Sequence, residues 1–164
     1  MLQKELQIKY LEFDSKNELA EEDKQLIDKA VEALQTSYAP YSQFKVGAAI
    51  KLSSGKIIIG SNQENSASPL CLCAERVAIF AAKVAYPDEL IEKIAITAFS
   101  ENFDINEPVV PCGSCRQTMV ETVNRQNGKP FEIILHSPND KVIIFQSIND
   151  LLPLSFDEER LKNE

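Results

Sequence analysis

The sequence has no tryptophan, one histidine, and no apolar run long enough to cross a bilayer. A membrane-spanning helix needs about 20 predominantly apolar residues, so that class is excluded. The opening stretch "MLQKELQIKYLEF" carries charges throughout and lacks the apolar core of a secretion signal. A cytoplasmic protein is expected. Positive charge is also short: 17 Lys and Arg stand against 25 Asp and Glu, a net charge of −8. The cations are scattered among acids, so no basic patch forms. Such a surface repels phosphate backbones, which argues against a nucleic-acid partner. The lone histidine, His136, ends a strand-like run before a Ser-Pro turn and reads as an ordinary polar residue, not a metal ligand. No repeat, low-complexity tract or linker divides the chain. A single domain over 1–164 is expected, with 1–16 as an additional N-terminal strand or arm.

What the chain does have is four cysteines: Cys71, Cys73, Cys112 and Cys115. In a reducing compartment, clustered cysteines read as metal-binding or catalytic before they read as disulfides. Their surroundings sharpen this. Leu6, Ile8 and Tyr10 alternate with polar residues and predict a short strand. "NELAEEDKQLIDKAVEALQTS" has Leu26, Ile27, Ala30, Val31 and Leu34 at helical spacing, with acids in its first turn. Pro40 breaks that helix. "KVGAAIKLSSGKIIIGSN" predicts a hairpin turning at "SSG". A helix follows from about Cys73 to Ala85, then a β-branched strand in "IEKIAITAF". A second cysteine-led helix runs through "CGSCRQTMVETVNRQ" and ends at "NGKP". Strands "FEIILH" and "KVIIFQ" flank a "SPND" turn. Interleaved strands and helices of this kind predict an α/β fold with a mixed sheet.

Both cysteine segments therefore enter the first turn of a helix. Helix N-termini present unpaired N–H groups and a positive dipole end, which favour thiolate. Zinc takes tetrahedral sites built from such ligands. The C-x-x-C pair, Cys112 and Cys115, can aim two sulfurs at one ion. Cys73 is the best third ligand, because Glu75 follows within the same turn. The fourth position would be left for water, with Glu75 beside it to move protons. Three thiolates weaken a zinc ion as a Lewis acid. Arg76 and Arg116 are each placed to donate to a ligand sulfur and offset that. A C-x-E followed downstream by P-C-x-x-C is the signature of zinc deaminases.

From Tyr38 to Phe156 the chain resembles the homotetrameric cytidine deaminase family. The likeness rests on "YAPYSQFKVGAA", "NQEN", "CAER", "PCGSCRQ" and "DLLPLSF", in that order. It implies a three-layer α/β/α fold around a five-stranded mixed sheet. It implies hydrolysis of cytidine and deoxycytidine to the uridines and ammonia, in pyrimidine salvage. Cys73, Cys112 and Cys115 match the Zn2+ ligands and Glu75 the proton shuttle. Asn62 and Glu64 match residues that bind the ribose. Phe44 matches an aromatic packed on the pyrimidine, and Ala74 a backbone contact to the base. Phe156 matches a residue that reaches a neighbouring subunit's site, so a homotetramer with shared sites is implied. The chain departs from the family's usual residues at Ser68, where a tyrosine is common, and at Cys71.

Other readings remain open on the sequence. The substrate could be a different aminopyrimidine nucleoside, such as an antibiotic of the blasticidin type. All four cysteines could close a structural four-thiolate zinc site with no catalysis. Editing of nucleic acid uses the same motif, though the charge disfavours it.

Overall fold

The computed structural model describes residues 1–157. Six strands form one sheet: β1 Leu11–Phe13, β2 Phe44–Leu52, β3 Ile57–Ser61, β4 Ile91–Ser100, β5 Glu132–His136 and β6 Val142–Phe145. Their order is β1-β6-β5-β4-β2-β3. β4 and β5 run parallel, and every other neighbouring pair is antiparallel. The sheet is mixed, as expected, but it has six strands and not five.

The additional strand is β1, at the edge beside β6. It lies later than the Leu6–Tyr10 alternation suggested. Leu6, Ile8 and Tyr10 are each more than half exposed. The reason is the length of the partner. β6 has only four residues and pairs with Leu11 to Phe13 alone. Apart from the Tyr10 ring, which packs on Phe145 with centroids 5.5 Å apart, the alternating segment has no strand beside it to pair with. After β1, Ser15 caps a short 3-10 turn, Lys16–Glu18, in a reciprocal capping box, and its hydroxyl donates to Asp140.

The helices are α1 Glu21–Ala33, α2 Ala74–Ala85, α3 Gly113–Arg125 and the short α4 Ile148–Leu151. Side chains alternate across the strands, so each strand feeds both faces. In β4, Ile94 and Ile96 join a cluster with Ala78 and Ile79 of α2, Met119 of α3 and Ile148 of α4. Ala95 joins the opposite cluster with Leu26, Ile27 and Ala30 of α1. The result is three layers, with α1 on one face and α2, α3 and α4 on the other. β4 lies in the middle and is apolar on both faces, as an interior strand must be. Val31 sits at the flank of the α1 stripe and is 40% exposed, although its spacing suggested burial. Lys93 of β4 pairs with Glu22 at 2.9 Å, Asp23 at 2.7 Å and Glu132 at 3.1 Å, which ties the acidic start of α1 to the sheet.

Gly60 in β3 sets how closely α2 can approach. A Cβ there would lie 2.5 Å from the Ala78 nitrogen and 2.8 Å from the Ala74 oxygen. These are backbone atoms of the helix that starts at the site, so they can yield only if α2 moves. Gly60→Ala should therefore destabilise the fold by about 1–3 kcal/mol, the range for overpacking. Urea unfolding would measure it, and a midpoint equal to the parent's would show that α2 is less tightly seated than this.

Candidate active site

α2 and α3 start next to each other. Cys73 is the residue immediately before α2, and Cys112 the residue immediately before α3. Both are in extended backbone with no side-chain cap, so neither sulfur is spent on its own helix. Cys115 follows in the first turn of α3 and is fully buried. The three sulfurs lie within 4.8 Å of one another. Cys73 Sγ is 3.8 Å from Cys112 Sγ, and Cys112 Sγ is 3.5 Å from Cys115 Sγ. Tetrahedral zinc with bonds of about 2.3 Å holds its sulfurs about 3.8 Å apart. The spacing fits that ion, and the soft donor set suits it.

The charges around the sulfurs point the same way. The Cys73 thiol is pulled down to about 5, chiefly because the Cys115 thiol donates to it. Burial opposes this, while Arg76 assists. Cys115 is pushed up, because its proton is held by Cys73 and because it is buried. Arg76 Nη2 lies 3.8 Å from Cys73 Sγ and also donates to the Cys71 carbonyl at 3.1 Å. Arg116 corrects the expectation. Its Nε donates to the Pro111 carbonyl and its Nη1 to the Leu151 carbonyl, both at 2.7 Å. The side chain pins the loop before α3 to α4, and two backbone oxygens take its Nε and Nη1 donors in place of a sulfur.

Glu75, in the first turn of α2, is 4% exposed. Burial pushes its carboxyl above the ordinary range, and the negative charge of Cys73 pushes the same way. A hydrogen bond from its own backbone N–H partly offsets the shift, and the Arg76 charge acts in the same direction. A buried carboxyl with a raised pKa, beside three sulfurs that could hold a metal ion, is suited to taking and returning a proton.

A cavity of about 450 Å³ opens over this group. Phe44, Asn62, Glu64, Cys73, Glu75 and Cys112 all line it. Cys115 is buried and does not line it. Ala74 is wholly buried in the core and does not line the cavity. Phe156 is not in the cavity. It stands 58% exposed in a groove beside Phe80 and Gln117, and its carbonyl accepts from Gln117 Nε2 at 2.8 Å. His136 takes no part in the sulfur group. Its Nδ1 lies 3.1 Å from Thr97 Oγ1, and burial holds the imidazole below its ordinary value.

Two cavity side chains are held by their surroundings. Glu64 Oε2 accepts from the Tyr41 N–H at 2.9 Å and the Ser42 N–H at 3.3 Å. The Ser42 hydroxyl heads the causes that hold this carboxyl below its ordinary value, and the two N–H groups add to it. Asn62 is a clamp. Its Oδ1 accepts from the Val46 N–H at 2.8 Å and from the Ser37 hydroxyl, and its Nδ2 donates to the Phe44 carbonyl at 2.9 Å. One amide hydrogen then remains for a ligand. Sequence reasoning missed Val46, Ile96, Val109 and Val110, which form the apolar wall. Val109 and Val110 directly precede "PCGSC" and could have been found by that adjacency. Ile96 is one apolar residue in a buried strand, and nothing in its local sequence marks it.

The chain is similar to known proteins in sequence and in fold. Residues 20–126 match the family described as the cytidine and deoxycytidylate deaminase zinc-binding region. The chain is 43% identical over 96 residues to the cytidine deaminase of Halalkalibacterium halodurans, covering 58% of this chain and 68% of that one. It is 35% identical over 142 residues to a probable cytidine deaminase of Dictyostelium discoideum, covering 86% and 88%. Among solved structures, the cytidine deaminase of Burkholderia pseudomallei superposes with a TM-score of 0.70 at 40% identity, over 81% of this chain and 98% of that one.

Proposed function

The chain belongs to the zinc-binding family of cytidine and deoxycytidylate deaminases, and from that premise we propose that it deaminates free cytidine and deoxycytidine to the corresponding uridines. In this reading Cys73, Cys112 and Cys115 hold the zinc. Glu75 moves the proton, and Phe44, Asn62, Glu64 and the Ala74 backbone receive the nucleoside. The supporting observation is that two of the three clustered sulfurs, the buried carboxyl and an aromatic ring line one cavity of about 450 Å³. That volume suits a molecule of nucleoside size.

Zinc, when bound, supplies the Lewis acidity that makes water a usable nucleophile near neutral pH. The protein's own groups do the rest. Glu75 takes a proton from the attacking water and delivers it to ring N3. It then takes the second proton and gives it to the departing amino group. One water is consumed, and the C4–N bond breaks as ammonia leaves. Arg76 offsets negative charge at Cys73, and the apolar wall of Val46, Ile96 and Val110 excludes bulk water. A site that strengthens its hold as C4 becomes tetrahedral accelerates the reaction, whereas uniform binding does not.

The cavity favours a nucleoside over its phosphate. Its lining has no lysine or arginine among the described residues, and Glu64 is held as carboxylate. A phosphate there would be desolvated against a like charge. A closed four-thiolate site is disfavoured, because the Cys71 sulfur accepts from the Asn65 N–H at 3.2 Å and the sulfur group comprises the other three cysteines. The reading further places the enzyme in the cytoplasm, in salvage, as a homotetramer in which Phe156 completes a neighbour's site. The test is a panel of cytidine, deoxycytidine and deoxycytidylate followed by ultraviolet absorbance. Loss of the cytidine band with both nucleosides and not with the nucleotide is expected. Turnover of deoxycytidylate in preference to the nucleosides would overturn the nucleoside assignment.

A further inference from the structure

We propose that Phe103 is a positioning residue for the substrate base, acting through Phe44. The proposal rests on the reading of the cavity given above. Phe103 lies in the loop between β4 and α3 and does not itself line the cavity. Its ring stacks on that of Phe44, with centroids 6.1 Å apart and planes inclined by 14°. This is the offset-parallel geometry that aromatic pairs favour. Phe44 has two ring faces. In this proposal Phe103 covers one of them, the outer, and the other, inner face is left to the cavity that Phe44 lines.

The backbone of Phe44 is already fixed. Its N–H donates to Ser42 Oγ at 3.1 Å, and its carbonyl accepts from Asn62 Nδ2 at 2.9 Å. Those bonds do not restrain χ1 and χ2. The ring at the start of β2 is only partly buried, so its rotamer depends on what lies against it. Phe103 supplies that contact.

Phe103 can do so because its loop is tied down on both sides of it. Before it, the Asn102 N–H donates to Ser100 Oγ at 3.2 Å, and Lys45 Nζ reaches Glu101 at 3.4 Å. After it, the Asn106 carbonyl accepts from Asn139 Nδ2 at 2.7 Å, and Lys141 pairs with Glu107. The loop then runs into Val109 and Val110, which are part of the cavity wall. A base stacked on the inner face of Phe44 therefore rests on a two-ring platform. Without the outer ring, Phe44 samples other rotamers, and binding must first restore the productive one.

The expected signature is a change in binding with chemistry preserved. Stacked aromatic pairs carry enough energy for a roughly 2- to 12-fold change in an equilibrium constant. In zinc-loaded enzyme, Phe103→Ala should raise KM for cytidine by about that factor, with kcat within about twofold of the parent. The affinity for the product uridine, measured by calorimetry, should weaken by the same factor without any turnover. Phe103→Tyr, which keeps the ring, should behave as the parent, and Phe103→Leu, which keeps apolar area without a ring, should not. The ring is 56% exposed, so the melting temperature should hold in all three. Unchanged KM and uridine affinity in Phe103→Ala would overturn the proposal, as would a joint fall in kcat and melting temperature. Parent enzyme that leaves cytidine untouched would overturn the functional reading first and this proposal with it.

Discussion

Glu75→Gln is expected to lower kcat for cytidine by about 10³- to 10⁴-fold, the upper part of the range for loss of a general acid–base group. The substitution keeps volume and shape and removes only the ability to carry a proton. Every proton movement proposed for the reaction passes through this one carboxyl, from water to N3 and to the leaving amine. Water in a wall of Val46, Ile96 and Val110 offers no equivalent acid. The same change should not weaken the fold. Glu75 is 4% exposed, and burial already pushes its carboxyl upward, so the charged form is held at a cost. A neutral amide relieves that cost, and the melting temperature should match or exceed the parent's. Zinc content should also hold, because the three sulfurs are untouched. Kinetics by absorbance, zinc by atomic absorption and a thermal scan check the three parts together. Retention of more than about a tenth of the activity, well outside the range for a general acid–base group, would remove Glu75 from its role.

Some of this site can be read directly from the sequence because its chemistry sits in short segments. Cys73 and Glu75 share one helical turn, and Cys112 and Cys115 share another. Local spacing fixes each pair's geometry regardless of the rest of the chain. That the two helix starts meet required only that one ion should want both. The helices and inner strands were equally legible, since Ile94 and Ile96 or Leu26 and Ala30 follow the period of their element. The edge was not legible. Alternation at Leu6, Ile8 and Tyr10 states a preference, but strand formation depends on a partner, and β6 is too short to provide one there. Arg116 was misjudged for a related reason. Position next to Cys115 does not say where a long side chain will go, and the Pro111 and Leu151 carbonyls decide it. The clamp by Asn62 and the stack of Phe103 on Phe44 join residues from different elements, so no local period announces them.

Cys115→Ala tests the centre of the site from the opposite side, through the metal and not the proton. Two sulfurs would remain, Cys73 and Cys112, which lie 3.8 Å apart at the ends of two helices. Removing an outer partner of a metal ligand already costs roughly 10- to 100-fold in affinity, so loss of a ligand should lower zinc affinity by more than about 100-fold. Purified Cys115→Ala should carry little zinc, and deamination should fall at least as far as in Glu75→Gln. The fold should survive. Ile50, Leu135 and Ile148 on one face and Ile27 and Ile134 on the other pack without reference to the ion. Far-ultraviolet circular dichroism should therefore stay close to the parent's, with a lower melting temperature, because zinc binding contributes to stability only where the site is intact. Chelation of the parent enzyme should reproduce this state, and added zinc should reverse it in the parent but not in Cys115→Ala. Cys71→Ala is the companion measurement. Its thiol meets the Asn65 backbone and stands outside the sulfur group, so zinc should stay at the parent's level. Zinc lost from Cys71→Ala and kept by Cys115→Ala would reassign the ligands and, with them, the position from which Glu75 works.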